Sequence, residues 1–419
     1  MNEALCQLRR FCGGVAASTV FCGALLSLSV SWAAPPLPSK AVLQRAVESS
    51  VVVQLARARL AEAQEQATLD SLGPYEWTVS GASARRRVDG DGSFLDWDSA
   101  LERTVRLPGK AQLDRKAGQL RIQQATAELA VAQRSAHAAM LQAWFNCLGA
   151  RERARLLGQD MQLLQKIADS VGQRRLAGDL ADLDEALVIA DLASVRAEVA
   201  VQRADAVNAA RLLAIWQDMP SCDLEVWDSP TADGGTGTPV RAADRARSDP
   251  GTVASQAIAE RAAVMAARAQ RDRWPDPTLG VTYSQERDGA ERIGGLKVSI
   301  PIGVRRRHAE AARAAAASTV AAAEHLLTRQ EIERLWIQVE TDPARAHQSW
   351  LALAEADRQQ RRAAELSQRA FDLGEASLAE ALVTRRAALQ TSLAELSAAL
   401  EWWRARAVYD TFVASQALP

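Results

Sequence analysis

Two short stretches with nearly the same pattern decide the fold of this chain: "LAGDLADLDEAL" at Leu176–Leu187 and "DLGEASLAEAL" at Asp372–Leu382. Each stretch interrupts a long helical pattern with a single glycine, which is followed by an acidic residue and later by Glu-Ala-Leu. The two glycines, Gly178 and Gly374, stand 196 positions apart, the difference between 374 and 178. The recurrence of such a turn indicates an internal duplication.

Two strand-like segments support the duplication, because each is a pair of alternating runs around a polar turn. The first covers residues 75–107 with the turn "DGDG", and the second covers residues 277–302 with the turn "RDGAE". Six apolar residues of the second hairpin alternate with small or polar ones: Leu279, Val281, Tyr283, Leu296, Val298 and Ile300. We predict that these six side chains share one face of the hairpin.

Helical patterns fill most of the remaining chain, and their lengths match between the two halves. Residues 109–176 contain no proline and would form about 100 Å of continuous helix at 1.5 Å per residue. The flanking segments 38–72 and 180–217 together are about as long as this helix. In the second half, segments 243–274 and 377–416 together are about as long as segment 304–371. In each half the sequence predicts one long helix beside two shorter helices stacked end to end.

The first 33 residues have the features of a secretory signal peptide. Two arginines precede a weakly polar run, and Ser31 and Ala33 supply the small residues of a cleavage site. An uncleaved membrane anchor is the alternative, which the Pro35-Pro36 pair disfavours. Because no later run reaches roughly 18 apolar residues, we predict no helical membrane span in the mature chain.

These boundaries predict a signal peptide at 1–33, a first repeat at 34–227, a connector at 228–240 and a second repeat at 241–419. Each repeat is expected to hold a helix, a β-hairpin and a long helical hairpin. The tips of the helical hairpins are placed near residues 178 and 374. The predicted fold class is mainly α with a small β part.

Composition and cysteine content narrow the possible functions. The 50 basic and 51 acidic residues give a net charge of −1, which does not favour binding to nucleic acid. Signal-peptide removal would leave only Cys147 and Cys222. These two residues could pair in an oxidising compartment, but one lies in a predicted helix and the other in a connecting segment. The sequence therefore disfavours a disulfide and leaves the pairing open.

An exported chain with amphipathic strand pairs and no hydrophobic helix predicts an outer-membrane β-barrel, because a membrane span must satisfy every backbone hydrogen bond. Four strands are too few, since bacterial barrels have at least about eight. Several chains must therefore contribute to one barrel. Three chains would give twelve strands, with a tube of long helices continuing below them. In this barrel the six apolar residues named above for the second hairpin are predicted to face lipid.

The chain resembles the TolC-like outer-membrane factors, which are trimeric conduits of tripartite efflux pumps. The resemblance covers the order of elements, the duplication and the two glycine turns. The segments "DPTLGVTYSQERDGAERIGGLKVSIPIG" and "AFDLGEASLAEALVTRRAAL" are most similar to the cobalt–zinc–cadmium branch, which serves heavy-metal pumps. This resemblance implies a homotrimer in the outer membrane with a periplasmic helical extension. The implied partners are outer-membrane lipid, a periplasmic adaptor and an inner-membrane pump of the resistance-nodulation-division type.

The resemblance also implies roles for residues at the glycine turns. These turns are the periplasmic tips that meet the adaptor, and the candidate docking residues are Leu176, Gly178, Asp179, Leu180, Leu373, Gly374, Glu375 and Ser377. Glu380 stands where relatives carry an acid that faces the channel lumen. We interpret Asp182 as an extra residue in the first turn, so that Glu185 is the residue equivalent to Glu380. Two alternatives stay open: the turns could be ordinary helix ends without a partner, and both glutamates could be solvated residues of an outer face.

The sequence shows no pattern typical of catalysis, of a cofactor site or of a metal site. It lacks a nucleophile elbow, a phosphate-binding loop and paired Cys-x-x-Cys, and its histidines stand singly at His137, His308, His325 and His347. We therefore predict a passive conduit without catalytic residues or cofactors. The alternatives are a conduit for drugs or for type I secretion, and an exported coiled-coil scaffold without a pore.

Overall fold

The structure is a computed structural model, and it describes residues 37–222 and 241–416. The predicted signal peptide and the predicted connector at 228–240 lie outside the described residues. The chain is built from eight α-helices and four β-strands in these two ranges, together with one short 3₁₀ turn. The prediction of a mainly helical chain with four strands is confirmed.

The two halves of the chain contain the same elements in the same order. In the first half they are α1 (Lys40–Glu48), α2 (Val51–Leu72), β1 (Trp77–Val88), β2 (Gly92–Thr104), α3 (Lys110–Leu176) and α4 (Asp182–Leu213). In the second half they are α5 (Ala242–Ser248), α6 (Pro250–Arg271), β3 (Thr278–Glu286), β4 (Glu291–Ser299), α7 (Val304–Asp372) and α8 (Leu378–Gln416).

The first helical segment of each half is broken, whereas the sequence predicted one continuous helix. Ser50 ends the extended link before α2, and its hydroxyl accepts a hydrogen bond from the amide of Val53 at 3.4 Å. At the equivalent place Asp249 caps α6 by accepting from the amide of Gly251 at 2.8 Å, and Pro250 occupies the first helical position. Capping side chains and an N-terminal proline start a new helix, which explains both breaks.

The long helix α3 packs against α2 near the sheet and against α4 on the side of its C-terminal turn. The approach to α2 is close, because a β-carbon at Gly118 would lie 3.0 Å from the Cβ of Ala67. In the second half α7 packs against α6 and α8 in the same manner. No helix in the described part of the chain is long and apolar enough to cross a membrane.

A disulfide joins Cys147 and Cys222, with their Cα atoms 6.1 Å apart, and this is the pairing that the sequence disfavoured but left open. The helical hairpin explains the pairing. The helix α4 has 32 residues and runs back along α3 from the turn. Its last residue, Leu213, therefore lies in the same core cluster as Phe145, which is 31 positions before the end of α3 at Leu176. The segment after α4 is therefore brought to Cys147, although the two cysteines stand 75 positions apart.

A buried ion-pair cluster joins the sheet to the helices at the start of α3. The ammonium of Lys110 lies 2.8 Å from Asp276 and 2.9 Å from Asp272. Asp276 also accepts from the hydroxyl of Tyr75 at 3.0 Å and from the amide of Leu107 at 2.9 Å. Burial works to raise the pKa of the Asp276 carboxyl, but these hydrogen bonds outweigh it and leave the pKa below its ordinary value. The cluster fixes both hairpins on the helical body.

Candidate functional site

The two glycine turns have the same backbone geometry. Gly178 and Gly374 have φ of +83° and +77°, a left-handed conformation that glycine adopts at little cost. At the first turn the amide of Gly178 donates to Arg175 O and the amide of Asp179 to Arg174 O. The second turn has the same pair of hydrogen bonds. The amide of Gly374 donates to Phe371 O, and the amide of Glu375 donates to Ala370 O. Each glycine therefore completes a Schellman motif that ends a long helix.

The helices that leave the turns begin at equivalent positions, and this corrects the alignment made from the sequence. Five residues separate α3 from α4, and five separate α7 from α8. Ser377 caps α8 by accepting from the amide of Glu380 at 3.2 Å, and Ala181 stands at the same place before α4. Asp182 is thus not an extra residue. Glu380 corresponds to Asp184, and Glu185 corresponds to the buried Ala381.

The residues at the two tips divide into an exposed set and one that packs inward. Leu176 and Leu373 are 78% and 75% exposed, and a β-carbon added at either glycine would meet open space. Asp179, Glu375 and Ser377 are also exposed. Leu180 instead packs against a core cluster that both helical hairpins share, with Val171, Val188, Phe371 and Leu378 among its members. Seven of the eight candidate docking residues are therefore accessible.

The two candidate gate glutamates lie in different surroundings. Glu185 turns back toward α3, where its carboxylate lies 2.5 Å from Nε of Arg175. Glu380 is exposed, and no ion pair joins its carboxylate to another described residue. The charge of Glu185 is neutralised within its own hairpin, so the predicted symmetry of the two glutamates was wrong.

A second ion-pair cluster joins the two helical hairpins above the tips. Arg385 of α8 is buried and forms ion pairs with Asp160 of α3 and, at 2.6 Å, with Asp191 of α4. Closer to the tips the guanidinium of Arg174 lies 5.1 Å from the ring centre of Phe371. These contacts hold the two tips of one chain side by side.

The four strands form a single antiparallel sheet in the order β1-β2-β3-β4. Leu279 stands opposite Val298 and Val281 opposite Leu296, so these residues share one face, as their alternation predicts. Strand pairing extends the face to β2 and β1, because Val281 faces Leu101 and Leu101 faces Val79. Sequence reasoning predicted alternation in both hairpins but named the residues of this face only in the β3–β4 half.

Large apolar side chains on this face are exposed in the single chain, and we call the face the apolar face. Leu296 and Val298 are 87% and 64% exposed. The other members of this set are Trp77, Val79, Leu95, Trp97, Leu101, Leu279, Val281 and Tyr283. Ile300 is also exposed and lies just beyond the end of β4. A sheet that leaves this much apolar surface uncovered is suited to contact with an apolar partner.

The opposite face of the sheet carries small residues and charges, and we call it the polar face. Its acidic residues are Asp96, Asp98, Glu102, Glu286 and Glu291. Its two basic residues are paired, since Lys297 lies 2.7 Å from Glu102 and Arg86 lies 3.0 Å from Asp96 and 2.9 Å from Glu286. All carboxylates of the strands therefore lie on the polar face, which also carries Phe94 and Ile293.

The histidines lie apart from one another, as the sequence suggested. His137 accepts or donates a hydrogen bond with Thr411 at 2.7 Å, and burial lowers its pKa. His325 has a similar bond with Ser255 at 2.9 Å, and His347 lies beside the stacked rings of Trp350 and Trp402. Within residues 37–222 and 241–416, no three side chains of His, Cys, Asp or Glu are grouped so that they could hold a metal ion.

Comparison with known proteins relates this architecture to solved channels. No protein-family model matches the chain, and no curated protein matches it. The chain is similar to the outer-membrane channel OprN, with a TM-score of 0.74 and 19% identity over 89% of each chain. It is similar to the Campylobacter jejuni outer membrane channel CmeC, with a TM-score of 0.73 and 16% identity over 90% of this chain and 85% of CmeC.

The outer membrane protein VceC from Vibrio cholerae is also similar, with a TM-score of 0.73 and 17% identity over 90% of this chain and 95% of VceC. Likeness at these identities establishes the fold. The long helical hairpins and the four-stranded sheet of this chain thus form the fold of the outer-membrane channels.

Proposed function

We propose that three copies of this chain form a passive outer-membrane channel, the outer component of a tripartite export system. In this assembly the sheets close into one barrel in the membrane and the helices extend into the periplasm. No step of transport requires catalysis by the chain. The resemblance to the TolC-like outer-membrane factors motivates the proposal, and the geometry of the sheet is its main support.

The sheet has one apolar face and two open edges, and these two features support a barrel formed by several copies. Strands β1 and β4 each pair with one neighbour, so their outer edges have backbone groups without strand partners. An open edge is not tolerated in lipid, where each unpaired backbone group costs several kcal/mol. Pairing β4 of one copy with β1 of the next removes every edge, and three copies give a barrel of twelve strands. Strands of 9 to 13 residues are long enough to cross a membrane at a tilt.

The helical tips support docking to a periplasmic partner. The 67 residues of α3 span about 100 Å, so the tips lie far from the sheet. We propose that Leu176, Gly178, Leu373 and Gly374 contact the adaptor, through which the channel connects to an inner-membrane pump. Exposed leucines beside side-chain-free glycines provide a thin apolar surface that suits contact with another helical hairpin.

Divalent heavy-metal cations are the proposed cargo. In a closed barrel whose apolar face contacts lipid, the polar face lines the lumen, and its five carboxylates exceed its two basic residues. An excess of negative charge in a pore concentrates cations. Glu380 would add three carboxylates near the tips, one from each copy. This charge distribution favours cations over the drugs or proteins that related conduits could carry.

Deletion of the gene tests both levels of the proposal. We expect the deletion strain to become sensitive to at least one of zinc, cobalt, cadmium, nickel and copper, with unchanged minimal inhibitory concentrations for a panel of drugs. Reintroduction of the intact gene should restore resistance. Sensitivity to drugs alone would reject the metal cargo and keep the conduit. If the deletion strain keeps normal resistance and the protein is a monomer that is soluble without detergent, the scaffold alternative would be supported instead.

A further inference from the structure

Charges on the apolar face of the sheet are of one sign. Strand pairing places Arg85 opposite Leu95, and Arg292 opposite Gln285 in the row that continues to Trp97. Arg87 lies two residues beyond Arg85 and faces Ser93. Arg103 is the fourth charge on this face, at the end of the sheet next to the helices, where it covers the ring of Trp77 at 5.4 Å. All five carboxylates of the strands lie on the polar face.

Three of these arginines lie at the hairpin-turn end of the sheet, Arg85 and Arg87 on one edge strand and Arg292 on the other, and we call Arg85, Arg87 and Arg292 the basic rim. All three are exposed, and none forms an ion pair or a hydrogen bond with a residue in the described part of the chain. Their neighbour Arg86 points to the polar face and pairs with Asp96 and Glu286. The nearby carboxylates of the strands, Asp96 and Glu286, therefore lie on the other side of the sheet.

Arg85 and Arg87 lie just beyond an aromatic pair, toward the turns, and Arg292 is level with the tryptophan of that pair. Trp97 and Tyr283 are on the apolar face with their ring centres 5.7 Å apart. Arg85 and Leu95 form the next residue pair on this face toward the turns after Ser83 and Trp97. Aromatic side chains on a membrane barrel mark the boundary between hydrocarbon and head groups. The basic rim is thus at the depth of the head groups on the side away from the helices.

Closure of the barrel would bring the rim residues of neighbouring copies together. Arg292 is on β4 and Arg85 and Arg87 are on β1, and these are the two edge strands that pair between copies. Each junction would then combine three guanidinium groups with no carboxylate on the same face. Guanidinium groups on neighbouring strands repel one another when no carboxylate compensates their charge, so an external anion would stabilise the junction.

We propose that the basic rim binds the phosphate groups of the anionic glycolipid in the outer leaflet, at one site per junction between copies. Guanidinium groups present a planar set of donors that bind phosphate oxygens in pairs. The inference rests on the proposed outer-membrane function, because the rim faces lipid only in the closed barrel. It adds a ligand site that the conduit function does not require.

The test uses the detergent-purified full chain and native mass spectrometry with diphosphorylated lipid A as the probe. The variant R85Q/R87Q/R292Q removes the rim, and R305Q/R306Q/R307Q removes the same number of charges from the first turn of α7, at the opposite end of the strands. We expect the rim variant to bind lipid A at least tenfold more weakly than the wild type, and the control variant to bind as the wild type does.

Phosphatidylglycerol and inorganic phosphate distinguish the source of the phosphate. Weak binding of both to the wild type agrees with the proposal, whereas either binding the rim as tightly as lipid A overturns it. Equal affinity of wild type and rim variant for lipid A also overturns it. The single variant Arg292→Gln replaces the triple variant if the latter does not assemble, with an expected loss of about threefold; an unchanged affinity again rejects the site. Mass measurement of the same samples reports copy number, so a wild type that is not trimeric counts against the proposed function itself.

Discussion

At Gly374 the backbone has a conformation that side chains rarely adopt, and the space around it is empty. These two facts separate folding from docking, because a side chain added there meets no atom of its own chain. The sequence identified both tip glycines, since a lone glycine in a long helical pattern is a strong local signal. It could not identify the partner of Glu185, because Arg175 lies on the other side of the turn and the pairing depends on the turn's length.

Substitution of Gly374 by leucine should impair docking while the channel still assembles. We expect a loss of metal resistance with a normal amount of heat-sensitive trimer, since strain at this residue costs only about 1–2 kcal/mol. Gly158→Leu is the matched control, because it adds the same side chain in open space within α3 and should leave resistance unchanged. Loss of the trimer in the Gly374 variant would show that the glycine is needed for folding instead.

Neutralisation of Glu380 should reduce the preference of the pore for cations, because three unpaired carboxylates near the tips would be removed. Planar-bilayer recordings of the reversal potential under a salt gradient measure this preference. Glu380→Gln should shift the potential toward zero. An unchanged potential for Glu380→Gln would place this residue outside the lumen.

At the scale of elements, alternation predicted the strands and helix lengths to within a few residues, because burial imposes a period of two on strands and 3.6 on helices. The breaks before α2 and α6 were missed, although the capping residues Ser50 and Asp249 and the proline that follows Asp249 are local signals of a helix start. The disulfide was disfavoured from the sequence, since its geometry depends on where α4 ends along α3, which no local pattern records.

The apolar face of the sheet should tolerate charge far less than the polar face. Val281→Arg is expected to reduce the amount of assembled trimer in outer membranes, since arginine on the lipid face costs about 2–4 kcal/mol at mid-depth. Thr282→Arg, at the next position of β3, should have a small effect because its side chain points to the polar face. Equal losses for the two variants, measured on unheated gels, would mean that the register of lipid contact is different.

The buried cluster around Asp276 should make assembly stability depend on pH. Because the pKa of Asp276 is lower in the folded chain than its ordinary value of 3.8, its contribution is complete above about pH 3.8 and disappears as the pH falls through the folded-state value. Asp276→Asn should lower the unfolding free energy by about 1–3 kcal/mol at neutral pH, since Lys110 loses one partner and retains Asp272. Thermal unfolding of both proteins between pH 7 and about pH 2 should show the difference shrinking in acid; a constant difference would contradict the assignment.

For the whole molecule, duplication accounts for the arrangement of both halves around one sheet. The repeat was visible in the sequence because glycines, prolines and alternating runs recur at similar spacing. The number of copies follows less directly, since it depends on the open edges of a sheet and on the minimum size of a closed barrel. The cargo is furthest from the sequence, because charge on the polar face constrains the sign of an ion and leaves its identity open.

Cysteine crosslinking between edge strands tests the trimeric barrel most directly. Ser83→Cys in β1 is combined in turn with Gly294→Cys, Leu296→Cys or Val298→Cys in β4, all on the same face of the sheet. Opposed residues of neighbouring strands are close enough for a disulfide to form. We predict that oxidation of intact outer membranes gives, for at least one pair, a covalent species of three chains that neither single-cysteine variant forms. Covalent dimers only, or no crosslink in any pair although the protein is present in the outer membrane, would contradict the closed ring of three copies.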